Sequence, residues 1–170
     1  SLEYNLAEVV VKVSDNADGA HKSYLVRVYN DGSGQWGYRW SDSSGDSTFY
    51  LIEGDYEFLV EKNGAKSAKY DFTVDPPSGG PGGSADDQTP IYNLAEVVVH
   101  VSDNDGGAHK SYLVRVYNDG SGQWGYRWSN ASGESTFYLI EGSYEFLVEK
   151  NGARSAKYDF TVDPPSGDPD

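Results

Sequence analysis

The sequence consists of two nearly identical copies. The stretch from Tyr4 to Pro77 returns almost unchanged from Tyr92 to Pro165, which is a period of 92 − 4 = 88 residues. Solenoid units are shorter, roughly 20–45 residues, and bury their cores against neighbouring units. A longer repeat can bury a small core of its own. We therefore predict two copies of one small fold, and we expect function within one copy or in the joining of copies.

The two copies differ at eight positions within this stretch, and no large apolar residue is among them. The pairs are Lys12/His100, Ala17/Asp105, Asp18/Gly106, Asp42/Asn130, Ser43/Ala131, Asp46/Glu134, Asp55/Ser143 and Lys66/Arg154. Each change keeps a small or polar residue, and such changes at the surface usually cost about 0.5 kcal/mol or less. All eight positions are therefore predicted to lie at the surface.

Apolar and polar residues alternate with a period of two, and no stretch keeps helical spacing, which is typical of β-strands. In the first copy the pattern predicts strands at 8–14, 23–30, 35–41, 47–52, 55–62 and 65–74. Asn63-Gly64 predicts a two-residue hairpin turn. The predicted inner face consists of Val9, Val11, Val13, Tyr24, Val26, Val28, Phe49, Leu51, Tyr56, Phe58, Val60, Tyr70, Phe72 and Val74.

The predicted fold class is all-β, with two tandem antiparallel β-sandwich domains of an immunoglobulin-like kind. We expect the domains at residues 1–75 and 91–163. The segment 76–90 is rich in proline and glycine and has little to bury, so it is predicted to be a linker. Residues 164–170 have the same composition and are expected to begin a further linker.

Composition narrows the class of partner and the location. The formal net charge of −14 repels phosphate backbones and anionic membrane surfaces, which argues against nucleic-acid binding. No apolar run approaches 18 residues, so membrane insertion is not expected. The chain contains no Cys and no Met, which favours an oxidising exterior, either secreted or at the cell surface. Since no initiating Met is present, we expect a piece of a longer protein.

Several short motifs of each copy resemble a known family. In the first copy they are Val13-Ser14-Asp15, Val28-Tyr29-Asn30-Asp31-Gly32, the run from Trp40 to Phe49, the run from Glu53 to Val60 and Tyr70-Asp71-Phe72-Thr73-Val74. These motifs resemble transthyretin-like (prealbumin-like) β-sandwiches, such as carboxypeptidase regulatory-like domains and the B-type repeats of bacterial collagen adhesins. The resemblance implies stalk, spacer or accessory binding modules of exported proteins.

The same resemblance raises the question of an internal crosslink. Adhesin repeats of that kind often carry a Lys-Asn isopeptide bond between the first and last strands. The first-strand Lys12 is replaced by His100 in the second copy, and the last strand ends in Asp75 without an Asn. We therefore do not predict the crosslink.

An aromatic strip is the strongest candidate for a binding site. It consists of Trp36, Tyr38 and Trp40, repeated as Trp124, Tyr126 and Trp128. Residues two apart on a strand share a face at roughly 6.5–7 Å, so the rings should form one strip. Sugar rings stack on such strips, and Asp31 and Asp42 in adjoining loops could bind hydroxyl groups. The alternative is that the strip belongs to the core or to packing between domains, since each Trp or Tyr buries about 150–250 Å².

Two acidic turns are candidates for calcium. Their carboxylates are Asp15 and Asp18 in the first copy and Asp103 and Asp105 in the second. Clustered oxygen ligands suit Ca²⁺, but the turns do not match the EF-hand loop, and the second carboxylate moves one place between copies. Asx turns without an ion are the alternative, and no cofactor is required.

Catalysis finds little support in the sequence. The histidines are His21, His100 and His109, and no nucleophile or metal-ligand motif accompanies them. We interpret His21, next to Lys22, as a solvated loop residue. No catalytic residue is proposed, and the chain is not expected to be an enzyme.

Two functions are compatible with the sequence. The first is a structural or adhesive repeat of an extracellular protein, which acts as a stalk or filament unit and has neighbouring copies, self-association or a surface protein as partners. The second is a tandem carbohydrate-binding module that binds a polysaccharide through its aromatic strips, with avidity from two linked sites.

Overall fold

The computed structural model describes residues 1–31, 33–119 and 122–165, and all regular structure in these residues is β. The strands of the first copy are β1 (Ala7–Asp15), β2 (Leu25–Asn30), β3 (Gly34–Trp40), β4 (Asp46–Leu51), β5 (Gly54–Lys62), β6 (Ala65–Lys66) and β7 (Tyr70–Val74). Those of the second copy are β8 (Ile91–His100), β9 (Leu113–Asn118), β10 (Gly122–Trp128), β11 (Glu134–Leu139), β12 (Gly142–Lys150), β13 (Ala153–Arg154) and β14 (Tyr158–Val162). The all-β prediction is confirmed, and no helix of the described residues is long and apolar enough to cross a membrane.

The chain forms two compact units whose bounds do not coincide with the two copies. Unit 1 contains Ser1–Lys62 and Ser67–Asn93, whereas unit 2 contains Asn63–Lys66 and Leu94–Pro164. Unit 1 thus takes in the first residues of the second copy, and unit 2 takes in four residues of the first copy. Each unit is completed by a short piece of the other copy.

In unit 1 two β layers enclose an apolar core. Strand β1 pairs antiparallel with β4 in one layer. The other layer has the order β3-β2-β5-β6, and β7 also pairs with β5. Of the fourteen residues predicted for the inner face, all are buried except Tyr70 and Phe72, which are half-buried. This arrangement is consistent with the predicted β-sandwich.

Strands β6 and β7 were predicted as one strand, but a bulge separates them. Phe58 pairs with Tyr70 in the first copy, and Ser67 donates its backbone N–H to the carbonyl of Val60. The hydroxyl of Ser67 also accepts the N–H of Val60 at 2.9 Å. Because this side chain substitutes for a regular ladder bond, residues 67–69 leave strand geometry.

The predicted Asn63-Gly64 turn agrees with the structure, and the turn at Asp42 has the same geometry in both copies. Asn63 and Gly64 have φ angles of 49° and 84°, and both are therefore left-handed, as a type I′ hairpin requires. Asp42 accepts the N–H groups of Ser44 and Asp46 at 2.8 and 3.0 Å, and its counterpart Asn130 does the same at 2.9 and 3.0 Å. The Asp-to-Asn change therefore keeps the turn. None of the eight differing positions is buried in either copy, as predicted.

The segment 76–90 differs from the expected linker because it lies against unit 1. The N–H groups of Val10 and Lys12 each donate to this segment at 2.9 Å, to the carbonyls of Gln88 and Pro90. Val9 and Gln88 form a parallel bridge, and Pro90 is buried. The edge of β1 carries amides that need acceptors, and the segment supplies them. The predicted domain bounds remain predictions, and residues 166–170 of the second expected linker lie outside the described residues.

Unit 2 repeats the same strand pairing. Strand β8 pairs antiparallel with β11, and β10-β9-β12 form the second layer with β13 and β14 along β12. The registers correspond to those of unit 1, and the bulge after β13 recurs between Arg154 and Tyr158. Near-identical sequence therefore gives the same strand order and register in both units.

Candidate functional site

Three exposed aromatic residues of unit 1, Trp36, Tyr38 and Trp40, lie on β3, which is an edge strand of the five-stranded sheet. Tyr38 and Trp40 are both more than half exposed. Tyr38 lies opposite Arg27 and Trp40 opposite Leu25 on β2, and directly opposed residues share a face. Tyr38 and Trp40 therefore stand side by side on the outer face of the sheet, where a flat ligand can reach them.

Trp36 does not belong to the same face as these two rings. The register shifts so that Val28 lies opposite Gly37 and Tyr29 opposite Gln35, which leaves Trp36 as the extra residue of a β-bulge. Its ring lies 6.5 Å from that of Phe49, over which Arg39 also packs at 5.8 Å. The predicted one-face strip is thus divided, because a bulge breaks the period of two on which it was based.

The outer pair is flanked by a fixed positive charge. The guanidinium carbon of Arg27 lies 5.9 Å from the ring centre of Tyr38, and Arg27 pairs with Glu61 at 3.1 Å. The hydrogen bond that Arg27 donates to Glu61 raises the pKa of Arg27 above its ordinary value. A cation over an aromatic ring contributes about 0.5–1 kcal/mol at exposed sites, so Arg27 stabilises the observed position of the Tyr38 ring.

The second copy presents the same outer pair but not the same first tryptophan. Tyr126 and Trp128 are more than half exposed, whereas Trp124 is 8% exposed and its counterpart Trp36 is 44% exposed. The same register shift makes Trp124 the bulge residue. Its carbonyl accepts a 2.9 Å hydrogen bond from the side chain of Asn63, which belongs to unit 2. Of the six predicted site residues, four remain equivalent between copies.

The loop aspartates proposed to bind hydroxyl groups are both exposed, but one is used locally. Asp42 holds its own turn with one carboxylate oxygen, through the two backbone N–H groups of the 42–46 turn. Asp31 donates its backbone N–H to the carbonyl of Asp55 at 2.9 Å. Neither contact excludes a ligand, and carbohydrate binding at this face remains a proposal.

The acidic turn at Asp15 is organised by hydrogen bonds from the protein. One oxygen of Asp15 accepts the N–H groups of Ala17 and Gly19 at 2.8 and 3.0 Å, and the other lies 2.7 Å from Nε2 of His21. The hydrogen bond from His21, followed by those from the backbone, lowers the pKa of Asp15. Its carboxylate therefore stabilises the loop in its ionised form.

His21 was predicted to be a solvated residue, and this prediction is wrong. Its side chain is only partly exposed and is held by the Asp15 carboxylate. Asp103 and His109 repeat the arrangement at 2.9 Å in the second copy, and the hydrogen bond from His109 lowers the pKa of Asp103. In the sequence, this contact is indicated only by a histidine that follows the turn aspartate by six residues in both copies.

The calcium prediction is left open by these contacts. Asp18, Asp103 and Asp105 are exposed. Among the described residues there is no group of three or more His, Cys, Asp or Glu side chains placed to hold a metal ion. The hydrogen bonds of both turns are those of Asx turns, and calcium binding stays a prediction.

Unit 2 also contains an open hollow of about 550 Å³ beside its last hairpin. Its lining residues are Tyr112, Val148, Glu149, Lys150, Asn151, Ala153, Arg154 and Ser155. The counterparts of Tyr112, Val148, Ala153 and Ser155 in the first copy are all buried. The equivalent surface is therefore buried in the first copy and open to solvent in the second.

Comparisons with known proteins give distant similarities of architecture. No protein-family model and no curated protein matches the chain. The Bacillus anthracis TIE protein is 19% identical over 93% of this chain, with a TM-score of 0.39, and the chain spans 31% of that structure. The shaft pilin spaA from Lactobacillus rhamnosus GG is 14% identical over 95% of this chain and 94% of its own, with a TM-score of 0.37. BcpA, the major pilin subunit of Bacillus cereus, is 12% identical over 95% of this chain and 70% of its own, with a TM-score of 0.41.

Proposed function

We propose that this chain is a non-catalytic structural repeat of a secreted or cell-surface protein, made of two tandem β-sandwich modules that extend a stalk or filament. The observation that carries the proposal is the composition of the two units. Each unit includes a piece of the neighbouring copy, through Asn93 in unit 1 and through Asn63–Lys66 in unit 2. Copies that complete one another are suited to follow one another in an array.

The segment between the copies supports the same proposal. Its carbonyls pair with the β1 edge at Val10 and Lys12, and the side chain of Gln88 donates to the carbonyl of Thr73 and to Asp86. These contacts hold the segment to β1 and, through Thr73, to β7 of unit 1. A connection that is hydrogen-bonded in this way transmits orientation better than a free Gly-rich chain would.

The test is to measure how length grows with the number of copies. Chains of two, four and six copies joined by the natural 76–90 segment would be compared by small-angle scattering and electron microscopy. We expect the maximum dimension to rise in proportion to copy number. A matched series with 76–90 replaced by Gly and Ser residues should be shorter and more variable. A radius that grows only as that of a compact globule would contradict the proposal.

A second candidate function is carbohydrate binding, and the exposed outer pairs favour it. Tyr38 and Trp40 in one copy, and Tyr126 and Trp128 in the other, have nearly the same exposure. Two equal sites on one chain could bind a polysaccharide with avidity. The structural proposal does not depend on this function.

This alternative is tested by binding to a glycan array, followed by calorimetry. The double variant Trp40→Ala with Trp128→Ala should lose binding, whereas Tyr50→Ala, an exposed tyrosine on β4, should keep it. If the wild type binds no glycan, or if the double variant binds as well as the wild type, the carbohydrate function is excluded.

A further inference from the structure

The two copies bury different residues although the residues themselves are identical. Tyr4 is 41% exposed and its counterpart Tyr92 is fully buried. Leu6 and Trp36 are exposed, and their counterparts Leu94 and Trp124 are buried. In the opposite direction, Ala65 and Ser67 are buried in the first copy, whereas Ala153 and Ser155 are exposed in the second. Since none of the eight differing positions is involved, the surroundings and not the sequence cause the difference.

The first of two contacts explains the burial of Tyr92. In unit 1 the 88–93 segment runs parallel to β1, and its carbonyls accept the N–H groups of Val10 and Lys12. The Tyr92 ring then packs on the Tyr70 ring, with 5.8 Å between centroids. The segment adds a strand to an exposed sheet edge and covers an aromatic residue beside it.

The second contact explains the burial of Trp124. In unit 2 the side-chain amide of Asn63, at the tip of the β5–β6 hairpin, donates to the Trp124 carbonyl at 2.9 Å. The counterpart Trp36 has no such hairpin against it among the described residues and is exposed. The hairpin tip at Asn63 therefore lies against the bulge residue Trp124 within unit 2.

Each contact leaves one unused half on the chain. Tyr4, Asn5 and Leu6 have the same sequence as Tyr92, Asn93 and Leu94, and Asn151-Gly152 repeats Asn63-Gly64. In the first copy the segment half (residues 2–6) and the tryptophan half (Trp36) keep exposed side chains at Tyr4, Leu6 and Trp36. Tyr4 donates its hydroxyl to Glu53 at 3.0 Å, and Asn5 donates its side-chain amide to the carbonyl of Gly83 at 2.8 Å. The hairpin half (Asn151 and Tyr158) is open in the second copy, where Asn151 lines the 550 Å³ hollow and Tyr158, the counterpart of Tyr70, is 55% exposed.

We propose that these halves join two chains head to tail, so that the occupant of the open surface of unit 2 is a second copy of this chain. Residues 2–6 of the second chain lie along the edge of β8, with Tyr4 on Tyr158 of the first chain. The Asn151 hairpin of the first chain covers Trp36 of the second. Because the two surfaces differ, the interface is heterologous and open, and it produces linear oligomers.

Two features set the strength of this association. Leu2 and Glu3 occupy the places of Pro90 and Ile91, so the segment that binds the other chain differs in sequence from the segment that lies along β1. Both chains are strongly acidic, and their repulsion weakens as salt screens it. We expect a dissociation constant of about 0.1–1 mM, which corresponds to a binding free energy of only about −4 to −5.5 kcal/mol, and tighter association at higher salt.

The proposal deepens the structural function proposed above and rests on it for its biological meaning. It is tested with the full chain by sedimentation equilibrium at low and high salt. One variant, Tyr4→Ser with Leu6→Ser, removes the segment half, and another, Asn151→Asp with Tyr158→Ser, removes the hairpin half. Each should remain monomeric alone, whereas their mixture should form a 1:1 dimer and nothing larger. Tyr126→Ser should associate like the wild type, because Tyr38 and Tyr126 are equally exposed in the two copies.

Tryptophan emission supplies a second readout that does not depend on size. Association should shift the emission of Trp36 to the blue and protect it from iodide, and Trp36→Phe should abolish this change. A wild type that stays monomeric to about 1 mM at both salt concentrations, or a mixture of the two variants that forms no dimer, overturns the inference. If chains with more copies still lengthen in proportion while separate chains stay apart, only this inference fails and the structural function stands.

Discussion

Asn63 donates its side-chain amide to the carbonyl oxygen of Trp124 at 2.9 Å, inside unit 2. Asn63 has a left-handed conformation at φ 49°, and its counterpart Asn151 has the same conformation at φ 51°. The same hairpin tip is therefore present twice, once on a buried tryptophan and once exposed to solvent. The pair provides an internal control for the value of the contact.

Asn63→Gly should lower the free energy of unfolding more than Asn151→Gly. Glycine keeps the left-handed conformation at both sites, so the backbone effects are matched and the difference reports the hydrogen bond. We expect that difference to be about 0.5–1.5 kcal/mol. It is measured by urea denaturation at low protein concentration, where chains do not associate. Equal losses for the two variants would show that the Asn63 contact does not stabilise the fold.

A second prediction compares the stability effects of removing two buried serine hydroxyls. The hydroxyl of Ser41 accepts the N–H of Tyr24 at 3.0 Å and donates to the carbonyl of His21 at 2.7 Å, whereas the buried hydroxyl of Ser47 has no partner in the described residues. Ser41→Ala should therefore cost about 1–3 kcal/mol, because it leaves a buried N–H unpaired. Ser47→Ala should be neutral or slightly stabilising. Thermal unfolding of both variants decides, and a larger loss for Ser47→Ala would refute the argument.

The sequence predicted the strands well because alternation follows from burial of one face. Val9, Val11 and Val13 alternate with polar or partly exposed residues on β1, and a strand places all three on one face, where they are buried. It missed the bulge at Trp36, since one extra residue in a strand leaves no trace in an alternating pattern that continues on both sides. The packing of Gln88 and Pro90 was also missed, because edge pairing uses backbone groups that every residue has.

The exposure of the candidate site could not be predicted for a different reason. Trp36 and Trp124 have identical neighbours in the sequence, yet one is exposed and the other buried. Any prediction from the local sequence must assign both the same environment. The difference accompanies the contact of Trp124 with Asn63, a residue 61 positions away in the sequence.

The Asp15 loop gives a pH prediction with a definite sign. Hydrogen bonds from His21 and the backbone lower the pKa of Asp15 in the folded state. As the pH falls, Asp15 of the unfolded chain is therefore protonated first, near the ordinary Asp pKa of about 3.9. The contribution of the Asp15 carboxylate to folding stability is complete above about pH 5. It is lost as the pH falls through the pKa of Asp15 in the folded state. Asp15→Asn should flatten the pH dependence of the unfolding free energy in this window. Asp103→Asn, at a more exposed site, should flatten it less, and the reverse order would contradict this account.

Alanine substitutions at two glycines, both with positive φ, distinguish the cost of backbone strain from the cost of a steric clash. Gly45 has φ 78°, and a Cβ there would lie 2.4 Å from the carbonyl oxygen of Val13, a backbone atom that also receives the N–H of His21. Gly34 has φ 92°, with nothing within 4 Å of the same added atom. Gly34→Ala should cost about 1–3 kcal/mol for the left-handed conformation alone. Gly45→Ala carries that cost and must also displace β1 from the 41–46 turn, so it should be the more destabilising of the two by chemical denaturation. Amide exchange should locate the added loss at His21 and Val13, and equal destabilisation by the two variants would show that the turn moves freely away from β1.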